Sequence, residues 1–567
     1  MNKVLKLRSI LSIYIIISLL LSITPGFAFA ANTGDIKEQL SVVVQGGFGP
    51  VARNTCVTGM TQDDTGNIYV VGVTKSQFGE KDANDTRERV FLAKFDEDLE
   101  MVDYTVLIGD APEIISYEGY DFAKEEKVYY AGNEFHNSPI TVDEDGYIYI
   151  VTQEKVSREL TTSIEDIMYD FPDDCICWMW CDEYDCDFGE TTDCPVCNAF
   201  REFEAIFKEG SSLEYVLYKF DSSLEEKDKF IIASVQGANP YNSRTIAIEI
   251  DDDGYIYVGG GTEKDLGFAD PVYDFNYFDA DPTGSGKKMD NTRGFLVKIN
   301  PSMTKIAAST YLGGPLAETQ WSSGPDCYVT AIAADSGYIY VAGTDGGGKI
   351  PTVAEDVYKE KTKNDSDVYI VRFNRDDLSI DKATYYGGTS SDDVTQLTVT
   401  GAVYSGMVYI GGHTTSPTIP THSSAFQRSL NTSEANYRDA FVARFSKSLE
   451  MDDSFKATYI GGSQREDLFG MDVDDDGNVY ITGETYGSYS FPTTDGTSNS
   501  DGRIFITKLN KDFSDLVVST IVGGDPWSGD EQGRAIKAND DGIVVAGQGD
   551  FDNTDTARPF VSRYNTT

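Results

Sequence analysis

Histidine is scarce in this chain, at three of 567 residues, namely His136, His413 and His422. The sequence also has no GxSxG nucleophile elbow and no HExxH pair. These absences argue against histidine-dependent hydrolysis, whereas paired carboxylates remain available for catalysis. The TGSGKK segment around Gly284 lacks the spacing of a phosphate-binding loop, so that motif is excluded too.

Positive charge is also in short supply. Lys and Arg number 46 against 93 Asp and Glu, a formal net charge of −47 at pH 7. A field of this sign repels nucleic acid and anionic lipid surfaces, so neither is an expected partner. We expect the charge to serve solubility outside the cell, with cation binding as the alternative.

Long apolar runs are absent except for one near the start, over residues 10–23. Basic residues precede it at Lys3, Lys6 and Arg8, and small residues follow at Ala28 and Ala30. This order is typical of a secretory signal peptide. The sequence therefore predicts a signal peptide over 1–30, a linker over 31–39, a secreted or cell-surface location and no membrane insertion after cleavage.

Three sequence elements repeat along the rest of the chain. The first, a turn followed by an alternating strand, occurs seven times and ends at Gly72, Thr152, Gly260, Gly343, Gly412, Gly483 and Gly547. The second, an aromatic-led strand, occurs seven times and begins at Phe91, Tyr215, Phe295, Tyr369, Phe441, Phe505 and Phe560. The third, a strand that ends in glycine, occurs six times and ends at Gly109, Gly237, Gly314, Gly388, Gly462 and Gly524.

The missing seventh copy of the third element lies at the other end of the chain, over Leu40 to Gly47. With a less regular strand before each hairpin, every repeat supplies four strands. The sequence therefore predicts an all-β, seven-bladed β-propeller over 40–567 with four-stranded blades. Its last blade would be closed by the N-terminal strand, which protects the sheet edges.

These repeats resemble the bacterial SBBP beta-propeller repeat. In that pattern a hairpin with a GN-x-Y-x-x-G core, an aromatic-led strand and a strand ending in GG follow one another, as in DGNVYITG, FITKL and ATYIGG. The resemblance covers about 40–564 and implies a secreted or surface propeller. It implies no catalytic residue.

Loop lengths divide the two faces of the predicted propeller. With strands labelled A to D outward from the channel, the A–B and C–D turns are short, whereas B–C and D–A connections are long and variable. Long loops on a rigid scaffold tend to carry binding and catalysis. The B–C/D–A face is therefore the predicted functional face.

Six cysteines fall within one B–C connection, in a predicted insertion over 154–214 of blade two: Cys175, Cys177, Cys181, Cys186, Cys194 and Cys197. In an exported protein such a cluster indicates a disulfide-stapled module, because so short a segment cannot bury a core unaided. A thiolate metal site is the alternative. Six cysteines allow 15 pairings, and the sequence chooses none of them.

One aligned position recurs where each strand A begins, and it is predicted to ring the channel mouth on the long-loop face. Its residues are Cys56, His136, Arg244, Cys327, Asp393, Asp467 and Asp530. A direct disulfide between Cys56 and Cys327 is not expected across the channel. Acidic residues here are expected to cap the inter-blade loop, with cation binding as the alternative.

Asp472, Asp474 and Asp476 reproduce the opening of a calcium loop, but the twelfth position is Gly483 rather than an acid. A plain hairpin turn is the favoured explanation. No cofactor is assigned with certainty, and calcium is the one considered.

Aromatic and polar side chains are mixed in the long loops: Tyr117, Tyr120, Tyr241, Arg244, Gln320, Trp321, Arg465 and Trp527. Such surfaces suit sugars or extended peptides. We therefore expect a non-catalytic extracellular recognition or scaffold module that binds glycan or protein. The alternative is a calcium- or carboxylate-dependent hydrolase or lyase acting at the channel mouth.

The predicted face gives a first test. Replacing Trp321 or Trp527 with alanine should weaken ligand binding by at least ~1 kcal/mol, the usual threshold for an interface anchor. Lys305→Ala and Lys447→Ala in the C–D turns should leave the measured dissociation constant nearly unchanged. The opposite pattern would mean that the ligand binds the other face.

Overall fold

The structure, a computed structural model, describes the strands and tight turns of the chain. The described ranges are 37–43, 55–74, 89–107, 113–117, 120–130, 137–160, 210–236, 246–262, 264–273, 292–313, 327–346, 350, 366–400, 406–431, 437–487, 490–495, 503–523, 531–539, 542–549 and 558–565. The predicted signal peptide and the six clustered cysteines lie outside these ranges. Within them, no helix is long and apolar enough to cross a membrane.

Seven antiparallel sheets form the blades of a β-propeller, as the repeats predict. The A strands are β2 (Thr55–Gln62), β9 (Ile140–Val142), β13 (Ile246–Ile250), β17 (Cys327–Ala334), β21 (Asp392–Val399), β25 (Glu466–Val473) and β29 (Gln532–Asn539). The B strands are β3 (Ile68–Thr74), β10 (Ile148–Leu160), β14 (Ile256–Thr262), β18 (Tyr338–Asp345), β22 (Met407–Thr414), β26 (Val479–Thr485) and β30 (Gly542–Gly549).

The two outer strands of each blade complete the sheets. The C strands are β4 (Arg89–Phe95), β11 (Gly210–Phe220), β15 (Arg293–Ile299), β19 (Asp367–Asn374), β23 (Asp439–Ser446), β27 (Ile504–Leu509) and β31 (Arg558–Asn565). The D strands are β5 (Met101–Leu107), β12 (Glu226–Gln236), β16 (Ile306–Leu312), β20 (Ile380–Tyr386), β24 (Lys456–Ile460), β28 (Leu516–Val522) and, for blade seven, β1 (Lys37–Val43).

Blade seven is closed by the start of the chain. Strand β1 pairs antiparallel with β31 along its length, from Lys37 opposite Asn565 to Val43 opposite Phe560. The predicted closure is therefore confirmed, although the strand begins at Lys37, inside the predicted linker. Pairing the two ends of the chain in one sheet leaves no unmatched gap between the first and last blades.

A glycine at the end of strand B is required by a bulge in strand A. In blade six the β25 register shifts between Leu468 and Gly470, and a Cβ on Gly483 would lie 1.9 Å from the Asp467 carbonyl oxygen. The ring of Phe505, which leads strand C, would lie 2.7 Å from the same Cβ. The repeated glycine is thus needed because the repeated aromatic ring of strand C and the carbonyl of strand A both pack closely against it.

The C–D turns each push an apolar side chain into the core. Leu99, Leu224, Met303, Leu378, Leu449 and Phe513 all have positive φ, between 50° and 60°, and all are buried. The left-handed conformation costs about 1–2 kcal/mol per residue, and burying a large apolar side chain returns about 1.5–3 kcal/mol. Burial of the apolar side chain therefore offsets the cost of the left-handed conformation in each of these turns.

Neighbouring blades pack through aromatic rings and through ions between their turns. Tyr386 at the end of blade four contacts Phe441 and Phe445 of blade five, with ring centroids 5.5 and 5.6 Å apart. On the A–B/C–D face, Lys447 Nζ lies 2.6 Å from Asp335 Oδ2 of the preceding blade. The short turns therefore serve contacts between blades.

Blade two departs from the repeat by extending its sheet. Strand β10 has 13 residues, and its second half, Gln153–Leu160, pairs with an added hairpin formed by β6 (Glu113–Tyr117) and β7 (Tyr120–Tyr130). A further short strand, β8 (Asn137–Ser138), pairs in parallel with β13. Strands β10 and β11 run to Leu160 and from Gly210, so both ends of the predicted insertion are strands. The six clustered cysteines lie in the sequence between these two strands.

Closure predicts the effect of removing one strand. Deleting residues 37–43 leaves β31 as an unpaired edge, and each lost cross-strand pair is worth about 0.2–1 kcal/mol. The expected result is a lower melting temperature and concentration-dependent aggregation, measured by calorimetry and light scattering. A deletion over residues 31–36, which precede β1, is the control. Unchanged stability and solubility after loss of β1 would contradict the closure.

Candidate functional site

The ladder register identifies which residues share the predicted channel-mouth position. In five blades the carbonyl that faces the strand B glycine belongs to Cys56, Tyr328, Asp393, Asp467 and Gln532. Cys327 pairs opposite Asp345 and lies one residue earlier, and Gln532 takes the place assigned to Asp530. The bulge lies at the same place in all five blades, but the A–B turns of blades four and seven are one residue shorter than those of blades one and six. Spacing counted from the turn therefore does not carry over to these two blades. Cys56 and Cys327 are not bonded to each other.

The cap of the inter-blade loop is made by the residue before this position. Asp392 accepts a hydrogen bond from Gly388 N–H at 2.7 Å and another from the Thr414 hydroxyl. Glu466 accepts from Gly462 N–H at 3.0 Å and from Thr485 Oγ1 at 2.9 Å. The expected acidic cap exists, but one residue earlier than Asp393 and Asp467, whose side chains are left for other contacts.

Asp467 is the centre of a buried polar group at the mouth of blades five to seven. Its Oδ1 accepts from Arg438 Nε, and its Oδ2 accepts from Arg465 Nε at 2.8 Å. Burial alone would raise the pKa of Asp467, but the charges of His413, Arg438 and Arg465 outweigh it and hold that pKa at about 2. Asp467 is therefore a permanently ionised carboxylate.

His413 lies between two carboxylates of neighbouring blades. Its Nε2 is 3.7 Å from Asp393 Oδ2, and its Nδ1 is 4.0 Å from Asp467 Oδ1. Burial raises the pKa of Asp393, and the charge of Asp467 raises it further against the opposing effect of Arg438. The pKa values of these two carboxyl groups are thus moved in opposite directions.

Glu484 of blade six links this group to blade seven. Its Oε1 accepts from Arg503 Nη1 at 3.1 Å, and its Oε2 accepts from Gln532 Nε2 at 2.9 Å. Gln532 Oε1 in turn accepts from Arg534 Nη2. Burial raises the pKa of Glu484, and the hydrogen bonds from Gln532 and Arg503 oppose that rise.

Tyr486 lies at the solvent side of this group. It is 41% exposed, and its ring centroid is 5.0 Å from Arg465 Cζ and 4.8 Å from Arg503 Cζ. Backbone hydrogen bonds fix the row, because Tyr486 N–H donates to Arg465 O and Thr485 N–H donates to Arg503 O. We call the whole group the mouth cluster: Asp393, His413, Arg438, Arg465, Asp467, Glu484, Tyr486, Arg503, Gln532 and Arg534.

Several residues predicted for the binding face lie outside the described ranges. These are His136, Tyr241, Arg244, Gln320, Trp321, Trp527 and Asp530. Tyr117 and Tyr120 form the turn of the β6–β7 hairpin, where they pair with each other across the ladder. Arg465 is the predicted face residue that belongs to the mouth cluster.

The aspartates of the calcium-like motif are used by the hairpin itself. Asp474 Oδ1 accepts from the backbone N–H of Asp476 and Asn478, and its Oδ2 accepts from Tyr480 OH at 2.9 Å. Asp472 Oδ2 accepts from Ala538 N–H at 2.8 Å in the next blade. The same Asp-to-Tyr bond recurs at Asp63, Asp143, Asp251 and Asp335. In the described residues, no group of three or more His, Cys, Asp or Glu is placed to hold a metal ion.

The sequence reasoning missed most of the mouth cluster. His413 and Glu484 directly follow the repeated glycine of strand B, and Arg438 and Arg503 come just before strand C. Because the glycine and the aromatic are the strongest repeat signals, their flanking residues could have been aligned in the same way. That comparison would have found these four residues.

The buried carboxyl groups beside the cluster predict a pH dependence. Burial raises the pKa of Asp439 to about 6, against about 3.9 in the unfolded chain. The raised value favours folding below about pH 4, and this contribution is lost as the pH rises through 6. Asp439→Asn keeps an acceptor for Gln427 and Asn431, so it should gain on the order of 2 kcal/mol relative to wild type between pH 4 and pH 8.

Urea denaturation of both proteins across that range measures the difference. Asp98→Asn, in an exposed turn, removes one charge without touching a buried carboxyl group and is the control. Parallel stability curves for wild type and Asp439→Asn would refute the raised pKa.

Comparison with known proteins supports the fold and leaves the activity open. The family model of the SBBP beta-propeller repeat matches residues 456–492, which run from strand D of blade five into the B–C connection of blade six. No curated protein matches the chain.

Solved structures that resemble the chain do so at low identity. A Dyadobacter fermentans protein of unknown function is 10% identical, with 94% of this chain and 100% of that one covered at a TM-score of 0.37. An ulvan lyase is 9% identical, with 92% and 95% covered at a TM-score of 0.38. A Trypanosoma rangeli sialidase is 7% identical, with 93% and 58% covered at a TM-score of 0.33. Such likenesses assign no activity. The chain is a seven-bladed β-propeller, and its residues 456–492 match the SBBP beta-propeller repeat.

Proposed function

We propose that this protein is an extracellular recognition module that binds glycan on its B–C/D–A face, at the mouth cluster. The observation that carries the proposal is Tyr486, an exposed aromatic ring between two guanidinium groups that are themselves fixed by buried carboxylates. Tyr and Arg dominate binding hot spots because they offer area and hydrogen bonds at low entropic cost. The signal-like N-terminal segment supports a location outside the cell.

Preorganisation supports binding at this position. Arg465 is held by Asp467, and Arg503 is held by Glu484, so a ligand does not have to order either side chain. Each immobilised long side chain otherwise costs about 0.5–1.5 kcal/mol on binding. Arg465, Tyr486 and Arg503 directly adjoin strands β25, β26 and β27, and backbone hydrogen bonds join these strand ends, which makes the arrangement rigid.

A second candidate function is a carboxylate-dependent hydrolase or lyase. It is favoured by the opposite pKa shifts of Asp393 and Asp467 on the two sides of His413. A carboxyl group with a raised pKa near one with a lowered pKa is the pattern of a general acid and its partner. Release of new sugar ends from a bound glycan, lost in Asp393→Asn and Asp467→Asn, would establish this candidate over simple binding.

The binding proposal predicts the effect of one substitution. Tyr486→Ala should weaken the binding of any glycan captured on an array by about tenfold, or ~1.4 kcal/mol, because it removes the exposed ring and the support of both arginines. Lys305→Ala, in an exposed turn on the opposite face, is the matched control and should bind as wild type. Normal binding by Tyr486→Ala together with loss in Lys305→Ala would reject the mouth cluster as the site.

A further inference from the structure

We propose that the mouth cluster recognises an anionic saccharide, a sugar that carries a carboxylate or a sulfate ester, through Arg465 and Arg503. This inference rests on the proposed function and names the class of its ligand. It is argued from the grouping of arginines, the geometry of Arg465 and Arg503 and, within the described residues, the single exposed aromatic ring of the mouth cluster.

Arginine is concentrated at the mouth of a strongly acidic chain. The protein has a formal net charge of −47, yet Arg438, Arg465, Arg503 and Arg534 converge on blades five to seven. Buried carboxylates hold three of them in place, Asp467 with Arg438 and Arg465, and Glu484 with Arg503. An anion at the mouth therefore meets guanidinium groups that are already positioned, on a protein whose surface otherwise repels it.

Arg465 has donors to spare for such an anion. Its Nε and Nη2 both point to Asp467 Oδ2, at 2.8 and 2.7 Å. A guanidinium carries five N–H donors, and over the described part of the chain Arg465 Nη1 makes no hydrogen bond. The side chain is 34% exposed, so these donors are accessible from the mouth. A guanidinium edge binds best an oxyanion that offers two oxygens side by side, as a carboxylate or a sulfate ester does.

Arg503 supplies a second positive charge, on the other side of Tyr486 from Arg465. The Tyr486 ring lies between the guanidinium groups of Arg465 and Arg503. The distances from the ring centroid to the two Cζ atoms are 5.0 and 4.8 Å. The row is fixed by backbone hydrogen bonds between strand ends rather than by a loop. One ligand can thus place its oxyanion on an arginine at one end of the row and its hydroxyl groups against the other residues of the row.

The composition of the mouth favours a saccharide over an acidic peptide. Among the described residues, most exposed large apolar side chains lie on outer strands, as Met101, Val102, Ile231 and Val517 do, and Tyr486 is the one that belongs to the mouth cluster. The neighbours of Tyr486 are guanidinium groups, and the amides of Gln532 and Gln548 lie behind them at hydrogen-bonding distance from each other, 3.3 Å. A peptide interface needs apolar anchors, while one ring among many polar donors suits a polyhydroxylated ligand.

The test compares ligands that differ only in charge. Binding of the full chain is measured by calorimetry to polygalacturonate and to its methyl ester, and to dextran sulfate and to dextran. Polygalacturonate or dextran sulfate should bind at least tenfold more tightly than its neutral counterpart. The two charged polymers also separate a carboxylate from a sulfate as the recognised group. Poly-L-glutamate is included as an acidic peptide.

Variants then assign the anion to its residues. Arg465→Gln should reduce the preference for the charged polymer by at least tenfold, and Arg465→Lys should reduce it less, since it keeps the counter-charge that Asp467 needs but loses the planar fork. Arg503→Lys should act in the same direction. Lys305→Gln removes a positive charge on the opposite face and should have no effect. Melting temperatures identify any variant that fails to fold, and Arg465→Lys tests the proposal in that case.

The outcomes separate this inference from the proposed function. Equal binding of charged and neutral polymers, sensitive to Tyr486→Ala, would overturn the anionic ligand and leave glycan recognition intact. Poly-L-glutamate binding as tightly as the polysaccharides would overturn the saccharide. If folded Arg465 and Arg503 variants still bind the charged polymer as much more tightly than the neutral one as wild type does, the anion binds at another site. Absence of binding to every saccharide would overturn both.

Discussion

One steric contact organises each regular blade, the approach of a bulged strand A and an aromatic strand C to a glycine at the end of strand B. In blades one, four, six and seven both the carbonyl of strand A and the ring of strand C would meet a Cβ at that glycine within about 3 Å. The contact fixes where strand A bulges, and the bulge fixes which side chains face the channel mouth. The repeat is therefore conserved in its geometry even where its side chains differ.

Two adjacent positions at the start of strand A have different roles because the strand alternates. Asp392 and Glu466 turn toward the glycine pair of the preceding blade and close the inter-blade loop. Asp393 and Asp467 turn the other way, toward His413 and the arginines. A single residue of offset thus separates a structural carboxylate from one that organises a site, as period-2 alternation requires.

The blades share one fold but differ in the side chains that they place at the channel mouth. The mouth position holds Cys56 in blade one, Tyr328 in blade four and the charged or amide residues Asp393, Asp467 and Gln532 in blades five to seven. Blade two extends its sheet through the β6–β7 hairpin. The same scaffold thus presents a polar, arginine-rich sector and, elsewhere on the long-loop face, a projecting sheet. This arrangement is consistent with recognition by part of the face rather than by a symmetric ring.

The sequence by itself determined the number of blades, the order of strands and the closure by β1, because glycine, aromatic and turn residues recur wherever the backbone geometry recurs. It also located the long-loop face and the hairpin explanation of Asp474. Only the tertiary structure decided the register at Cys327 and the position of Gln532, since A–B turns of different length change the spacing from one blade to the next. It alone joined His413, Glu484, Tyr486 and Arg503 to Asp467, because those side chains come from different strands and blades and their proximity depends on how the sheets pack around the channel.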